Sequence, residues 1–202
     1  MAIENPHMRE SLRDAGVGLK FTNFMPLAAD DDWHKTSTAF AAVANPTVAV
    51  TSFTKAYAPL WPAALSVVVT DNAADNWTAV TIVATGIDQF GDVVTETFAG
   101  SNSSGTWTAA GAVAFALLTS VSITVAGTTT TSDAYKIGYG KIYGLGCKIA
   151  ATADVICSEF NNAADAGTAS AVYHTYAVAG TPDAAKFLTL LVRSAPVNPR
   201  GQ

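Results

Sequence analysis

From about residue 46 onward, short apolar runs alternate with clusters of Gly, Asn, Asp and Ser. The clearest run is residues 121–125, where three apolar side chains alternate with two hydroxyl-bearing ones, the period of a strand with one buried face. The runs are rich in Val, Ile, Thr and aromatic residues, which favour strands. We therefore predict strands over residues 65–70, 77–86, 92–98, 121–125, 135–139, 155–160, 172–178 and 187–192.

Strands that recur at this spacing are typical of sandwiches and closed barrels, in which few strand edges are left exposed. We predict a mainly β protein, an antiparallel β-sandwich of jelly-roll type or a barrel, with little helix. The β-rich domain is predicted to cover residues 46–193. A chain of 202 residues is long enough to bury such a core without disulfide or metal staples.

The first 45 residues have a different pattern, and we predict that they form an irregular, partly helical N-terminal arm. Charges of alternating sign surround the apolar positions of residues 8–17, which favours a short surface helix. Residues 21–33 are apolar and aromatic but are interrupted by Pro26 and by a run of aspartates. At the other end, residues 194–202 contain two prolines and no periodicity, which predicts an extended tail.

The composition narrows the class of partner. Charged residues make up only 13% of the chain, and 16 acidic against 11 basic residues give a net charge of -5 without a basic cluster. Neither nucleic acid nor an anionic membrane is therefore expected as a partner. Residues 97–132 carry no charge, but Gly, Ser and Thr interrupt them before the roughly 20 apolar residues of a spanning helix are reached. We interpret this segment as consecutive strands.

The residues that could bind metals are few and scattered. Cys147 and Cys157 lack the spacing of a zinc site, and we expect two buried thiols, although a hairpin would also allow them to pair. Residues 30–32 are aspartates close to His34, but consecutive side chains point in different directions, so a solvated loop or helix cap fits better. Three histidines are expected at the surface or in local hydrogen bonds: His7, His34 and His174.

The sequence contains no recognisable catalytic motif. There is no GxSxG nucleophile and no P-loop, and residues 138–140 lack the third glycine of a dinucleotide-binding fingerprint. Asp88, Asp92 and Glu96 could supply a carboxylate pair for glycoside hydrolysis, and only a cleft would support that use. We expect a protein without catalytic activity, metal ion or cofactor.

Aromatic residues are more informative, since Trp and Tyr bury much area at interface centres at a low entropic cost. Trp77 and Tyr135 lie inside strand patterns, so we expect them in the core. Trp33 and Trp61 lie in irregular segments that contain proline. For these two residues the pattern fits contact with another subunit and burial in the core equally well.

A strand, turn and strand in the middle of the chain carry a specific pattern. A Gly-x-Asp-Gln-aromatic-Gly turn at residues 86–91 precedes a Thr-Glu-Thr strand at residues 95–97. This pattern resembles a recurrent segment of tailed-bacteriophage structural proteins, and the likeness extends over about residues 65–193. Two positions depart from it: Gly146 stands where a proline often follows Gly-Leu, and Ala184 stands where a turn glycine is usual.

The resemblance implies a non-enzymatic virion protein, most like the small β-rich decoration or cement proteins that bind the outer shell of the head, usually as trimers. It implies the major capsid protein as partner, a homotrimeric assembly, and a place on the capsid surface after synthesis in the host cytoplasm. The opening residues, which lack the basic and apolar regions of a signal peptide, agree with cytoplasmic synthesis. A tail, neck or fibre-base protein, or a virion glycan-binding adhesion module, is the alternative.

On this hypothesis, apolar residues of the arm bind adjacent shell subunits and stabilise the shell, because many simultaneous contacts raise avidity. The predicted contact residues are Phe21, Phe24, Met25, Trp33, Phe40 and, outside the arm, Trp61. Deletion of residues 1–45 is then expected to abolish shell binding while the β-domain still folds.

Overall fold

The computed structural model describes residues 18–58, 60–72, 77–101 and 105–195. Within these ranges every regular element of more than three residues is a β-strand, and a short 3-10 turn lies at Thr152–Asp154. The strands are β1 (Leu19–Phe24), β2 (Asp30–Ala39), β3 (Thr47–Val50), β4 (Ala63–Asp71), β5 (Trp77–Asp88), β6 (Val93–Ser101), β7 (Gly105–Gly127), β8 (Ala134–Gly144), β9 (Val155–Phe160), β10 (Ala163–Ala164), β11 (Thr168–Ser170), β12 (Thr175–Ala177) and β13 (Leu188–Arg193).

The strands form two antiparallel sheets. The four-stranded sheet has the order β1-β13-β9-β10, which places β1 at an edge. The nine-stranded sheet has the order β11-β12-β8-β4-β7-β5-β6, with β2 paired to β8 and β3 paired to β7, and it curls into a half-barrel. The prediction of a mainly β sandwich or barrel is confirmed.

The uncharged segment, residues 97–132, contains the end of β6 and then one long strand, β7. Its first half pairs with β4 and its second half with β5, so one strand serves both parts of the curled sheet. The pairing between β7 and β4 is interrupted at residues 111–113 of β7. Ala64 lies opposite Ala114, but Ser66 lies opposite Ala110, so β7 has a bulge or irregularity between these pairs. Among the described residues, no helix has the length and apolar character needed to cross a bilayer.

Two apolar clusters form the core. The first lies within the nine-stranded sheet, and its Ile82, Ile123 and Ile137 side chains are fully buried. Trp77 and Tyr135 belong to it at 4% and 5% exposure, which confirms their predicted burial. The second cluster joins strands of both sheets, with members on β8, β12 and β13. The two sheets are therefore held together by a continuous apolar layer.

The predicted irregular arm is wrong for residues 18–45, which are built into both sheets. β1 pairs with β13, and β2 pairs with β8. The Tyr139 and Tyr143 hydroxyls donate to the carbonyl oxygens of Ala28 and Leu27, at 2.9 and 3.1 Å, and so anchor the Pro-containing connector between β1 and β2. Deletion of residues 1–45 would remove two paired strands, so we now expect the deletion to destabilise the β-domain. The predicted helix over residues 8–17 lies outside the described residues.

The start of the predicted C-terminal tail is tied to the start of β1. The backbone N–H of Ser194 donates to the carbonyl oxygen of Gly18 at 2.7 Å, and its hydroxyl bonds Gly18 as well. The N–H of Ala195 donates to the carbonyl oxygen of Lys148 at 2.7 Å. Residues 196–202 lie outside the described residues.

One of the two departures from the resembled pattern has a backbone explanation. Gly146 has φ of 64°, which proline cannot adopt because its ring fixes φ near about −65°. Ala184 also has φ of 64°, in the left-handed region that favours glycine. The turn thus keeps its left-handed geometry although it carries alanine where glycine is expected, and nothing in the structure explains the alanine.

Candidate functional site

The six predicted contact residues do not share one surface. Phe40 is 2% exposed and packs edge-on against the rings of Trp77 and Tyr135, at 5.8 and 5.1 Å between centroids. It belongs to the core, so its prediction as an available contact residue is wrong for this fold. The reason is that it follows β2, whose pairing with β8 carries it over the apolar centre of the sheet.

Three of the other aromatic residues are half-buried by intramolecular contacts. Phe24 and Trp61 stack with 4.7 Å between ring centroids and 11° between ring planes. Trp33 packs edge-on against Tyr139, and the ammonium group of Lys55 lies 3.5 Å above its ring centroid. These contacts make the three rings parts of the fold first, with only their outer edges open to a partner.

Phe21 and Met25 are exposed, at 66% and 42%. Alternate residues of a strand share a face, so Leu19, which is 51% exposed, lies on the same side of β1 as Phe21. On the neighbouring strand β13, Leu191 is the register partner of Phe21, and Phe187, at 47% exposure, precedes it on that face. We call Leu19, Phe21, Met25, Phe187 and Leu191 the outer face of the four-stranded sheet.

The two cysteines are free thiols that lie apart in the fold. Cys157 pairs in register with Leu191 and is exposed, so its predicted burial is wrong. Cys147 is half-buried, and burial raises the pKa of its thiol. The alternation of β9 explains the error for Cys157, because its side chain points to the outer side of a sheet that has no second layer there among the described residues.

The predicted turn at residues 86–91 is held by its own side chains. The Asp88 carboxylate accepts hydrogen bonds from the backbone N–H groups of Phe90 and Asp92, at 2.7 and 3.0 Å. Gly91 follows with φ of 89°, a conformation that other residues rarely adopt. The Asp and the final Gly of the pattern are therefore required by the turn geometry.

Gln89 connects this turn to two other segments. Its Nε2 donates to the carbonyl oxygen of His174 at 2.8 Å, and its Oε1 accepts from the N–H of Gly146. A Cβ at Gly144 would lie 2.4 Å from Gln89 Oε1, so a side chain there would displace this contact. The Gln of the pattern thus fixes the turn against the loop after β8 and the turn before β12.

A cleft of about 310 Å³ lies where these three segments meet. Its apolar lining includes Val94 and Val113, which pack against the first core cluster. Its polar and aromatic lining consists of Asp88, Phe90, Asp92, Lys148, Tyr173 and His174. Small-molecule sites span roughly 300–1,000 Å³ and combine an apolar lining with a few polar groups, so this cleft has the size and character of a small site.

The His174 imidazole is held in one orientation. Its Nδ1 lies 3.2 Å from the backbone N–H of Ile149 and accepts that hydrogen bond, so the proton of the neutral ring is on Nε2. Burial, followed by the nearby Lys148 ammonium, lowers the pKa of His174, which keeps the ring neutral at neutral pH. The Phe90 ring packs edge-on against the imidazole at 5.7 Å. The cleft therefore has a fixed neutral donor on this side.

The three carboxylates singled out in the sequence have separate roles. Asp88 and Asp92 line the cleft, whereas Glu96 points to the bend of β7 and accepts from the N–H groups of Ala112 and Val113, at 2.6 and 3.3 Å. Burial raises the pKa of Glu96, and its Oε2 is buried without a hydrogen-bond partner among the described residues. Glu96 stabilises the bend.

The aspartate run does not form a metal site with His34. His34 is 2% exposed, and its Nδ1 lies 2.7 Å from the carbonyl oxygen of Lys55. Asp31 instead forms an ion pair with Lys136 at 2.9 Å. Within the described part of the chain, no group of three or more His, Cys, Asp or Glu side chains could hold a metal ion.

Of the segments that line the cleft, the sequence pattern identified only the turn at residues 86–91. Lys148 and residues 172–174 were missed, because they come from distant loops that only the β-strand pairing brings together. Comparison with protein-family models, curated proteins and solved structures gives no match. Function must therefore be inferred from the chain's own surfaces.

Proposed function

We propose that the protein is a non-enzymatic bacteriophage decoration protein that binds the major capsid protein on the outside of the shell and stabilises it. The observation that carries this proposal is the outer face of the four-stranded sheet, where large apolar side chains are exposed on an edge strand. The likeness of residues 65–193 to phage structural proteins supports a virion location.

The chemistry of the outer face suits an apolar patch on a shell subunit. Phe and Met are enriched in interface cores, from which charged residues are depleted. Arg193, which lies next to Leu19 in the β1–β13 register, is already neutralised by an ion pair with Asp154 at 2.6 Å. Phe21 can thus be buried without stripping water from an unpaired charge beside it.

The binding free energy of one such face is modest, but several symmetric copies that bind at once would raise the overall affinity. Full burial of a Phe or Met side chain contributes about 1.5–3 kcal/mol. A homotrimer that engages three shell subunits at once converts the second and third contacts into intramolecular events and raises avidity. A tail or neck component could bind through the same face, but it would be present in far fewer copies per particle than a decoration protein.

The test is a sedimentation binding assay with shells that lack this protein. Wild type is compared with Phe21→Asp and with a control, Tyr57→Asp, which changes an aromatic side chain that is 69% exposed but lies outside the outer face. We expect Phe21→Asp to lose shell binding and Tyr57→Asp to keep it, with unchanged melting temperatures. Normal binding by Phe21→Asp would overturn the proposed contact surface.

A further inference from the structure

We propose that the cleft beside residues 86–91 is a saccharide-binding site, with Asp88, Asp92, Lys148, Tyr173 and His174 as its ligand-contacting residues. The cleft shares no residue with the outer face, so this inference stands apart from shell binding. It adds a ligand-binding function to a protein whose proposed role is otherwise structural.

The polar groups of the cleft match the hydroxyl groups of a sugar. A hydroxyl both donates and accepts hydrogen bonds, so a ring that carries several of them needs acceptors and donors close together. Asp88 and Asp92 supply carboxylate acceptors, and Lys148 supplies an ammonium donor. His174 adds an Nε2–H donor, because its Nδ1 is occupied by the N–H of Ile149.

The apolar groups match the other face of a sugar ring. Val94 and Val113 give the lining an aliphatic part, and Tyr173, 45% exposed, adds an aromatic ring to it. An aromatic ring offers a large apolar surface while its hydroxyl stays in contact with water. A pyranose, with C–H groups on its faces and hydroxyls at its rim, can satisfy both sets of contacts at once.

The site is rigid before a ligand binds. Asp88 is fixed by the two turn N–H groups, and the Gln89 side chain joins this turn to the carbonyl oxygen of His174. The Ile149 N–H fixes the His174 ring. Preorganisation lowers the entropic cost of binding, which matters most for a small hydrophilic ligand.

Other ligand classes fit less well. Two carboxylates repel an anion such as phosphate, and no group of three or more His, Cys, Asp or Glu side chains among the described residues, those of the cleft included, could hold a metal ion. A purely apolar ligand would strip water from Asp88, Asp92 and Lys148 without replacing their hydrogen bonds, which is costly. A neutral polyhydroxylated ring avoids all three penalties.

The experiment titrates the full-length, ¹⁵N-labelled protein with methyl glycosides of glucose, galactose, mannose, N-acetylglucosamine and rhamnose, and with inorganic phosphate. We expect at least one glycoside to shift the amide signals of residues 88–95, 113, 148 and 172–174 in a saturable manner, and phosphate to leave them unchanged. Asp92→Asn and Tyr173→Ala each change an exposed side chain, and each should weaken binding by about tenfold or more.

Tyr57→Ala is the matched control, an exposed tyrosine outside the cleft that should bind the same glycoside with unchanged affinity. The proposal is overturned if no glycoside shifts these signals, if phosphate shifts them more strongly than every glycoside, or if Asp92→Asn and Tyr173→Ala bind as wild type does. Shell binding by the same two variants should be normal, so a failure here is distinguishable from a failure of the proposed capsid contact.

Discussion

The side-chain amide of Gln89 donates a hydrogen bond to the backbone carbonyl of His174 at 2.8 Å, across a sequence separation of 85 residues. The same side chain accepts from the N–H of Gly146. One residue of a short turn pattern therefore joins three loops. This explains why the turn requires Gln beside Asp88, and it gives the cleft its fixed walls.

Replacement of Gln89 by Ala should destabilise the protein by about 1–3 kcal/mol, since a partly buried carbonyl and an N–H group lose their partner. Urea unfolding measures this change. Thr81→Ala, at an exposed position of β5, is the control and should stay within about 0.5 kcal/mol of wild type. Equal stability of the two variants would show that the link between the loops contributes nothing.

Glu96 should make stability depend on pH in an unusual direction. Burial raises its pKa in the folded state above the usual 4.5, so the folded protein holds this proton more tightly than the unfolded chain does. Its contribution to stability is present below the unfolded pKa and is lost as pH rises through the folded pKa. Glu96→Gln keeps a carbonyl acceptor for Ala112 and Val113 and removes the titration.

The measurement is urea unfolding of wild type and Glu96→Gln between about pH 4 and pH 8. The difference between their free energies of unfolding isolates Glu96 from the other carboxylates. We expect this difference to move in favour of Glu96→Gln as pH rises. A difference that is constant across the range would contradict the raised pKa.

Two members of the predicted contact set should behave in opposite ways. Phe40→Ala removes a core ring that is 2% exposed and should cost about 3–5 kcal/mol. Phe21→Ala removes a ring that is 66% exposed and should change stability by less than about 0.5 kcal/mol. Thermal unfolding separates the two, and similar losses for both would mean that the outer face is not free.

Ala184→Gly should stabilise the protein. A non-glycine residue in the left-handed region costs about 1–2 kcal/mol, and the larger unfolded-state entropy of glycine offsets roughly half of that gain. We expect a net gain of about 0.5–1 kcal/mol by urea unfolding. Ala185→Gly at the neighbouring exposed position is the control and should be destabilising. A loss of stability in Ala184→Gly would contradict the turn geometry.

The sequence predicted strands well where the apolar period was local and strict. The runs that became β5 and β13 place alternate apolar positions on a buried face, and the continuous apolar run that became β4 is buried along nearly its whole length. The bounds of all three differ from prediction by a few residues. β1 and β2 were missed for two reasons. Their large apolar residues are mostly exposed and form no regular pattern, and Pro26 and the aspartate run, which interrupt this part of the sequence, favoured an irregular segment. Their strand conformation is imposed by pairing with β13 and β8, which no local pattern records.

The candidate sites were predictable only in part. Phe21 and Met25 were identified from their type, but type alone could not separate them from the buried Phe40. The cleft was visible in sequence only through its turn, because Lys148 and Tyr173 reach it from loops whose positions depend on the whole sheet.

The most direct test of the proposed function is the copy number of this chain in purified particles, measured by quantitative mass spectrometry against the major capsid protein. A decoration protein should be present in a ratio near one to the shell protein, or in a simple fraction set by the symmetry axes of the shell. A ratio lower by more than an order of magnitude, or the absence of the chain from particles, would contradict decoration.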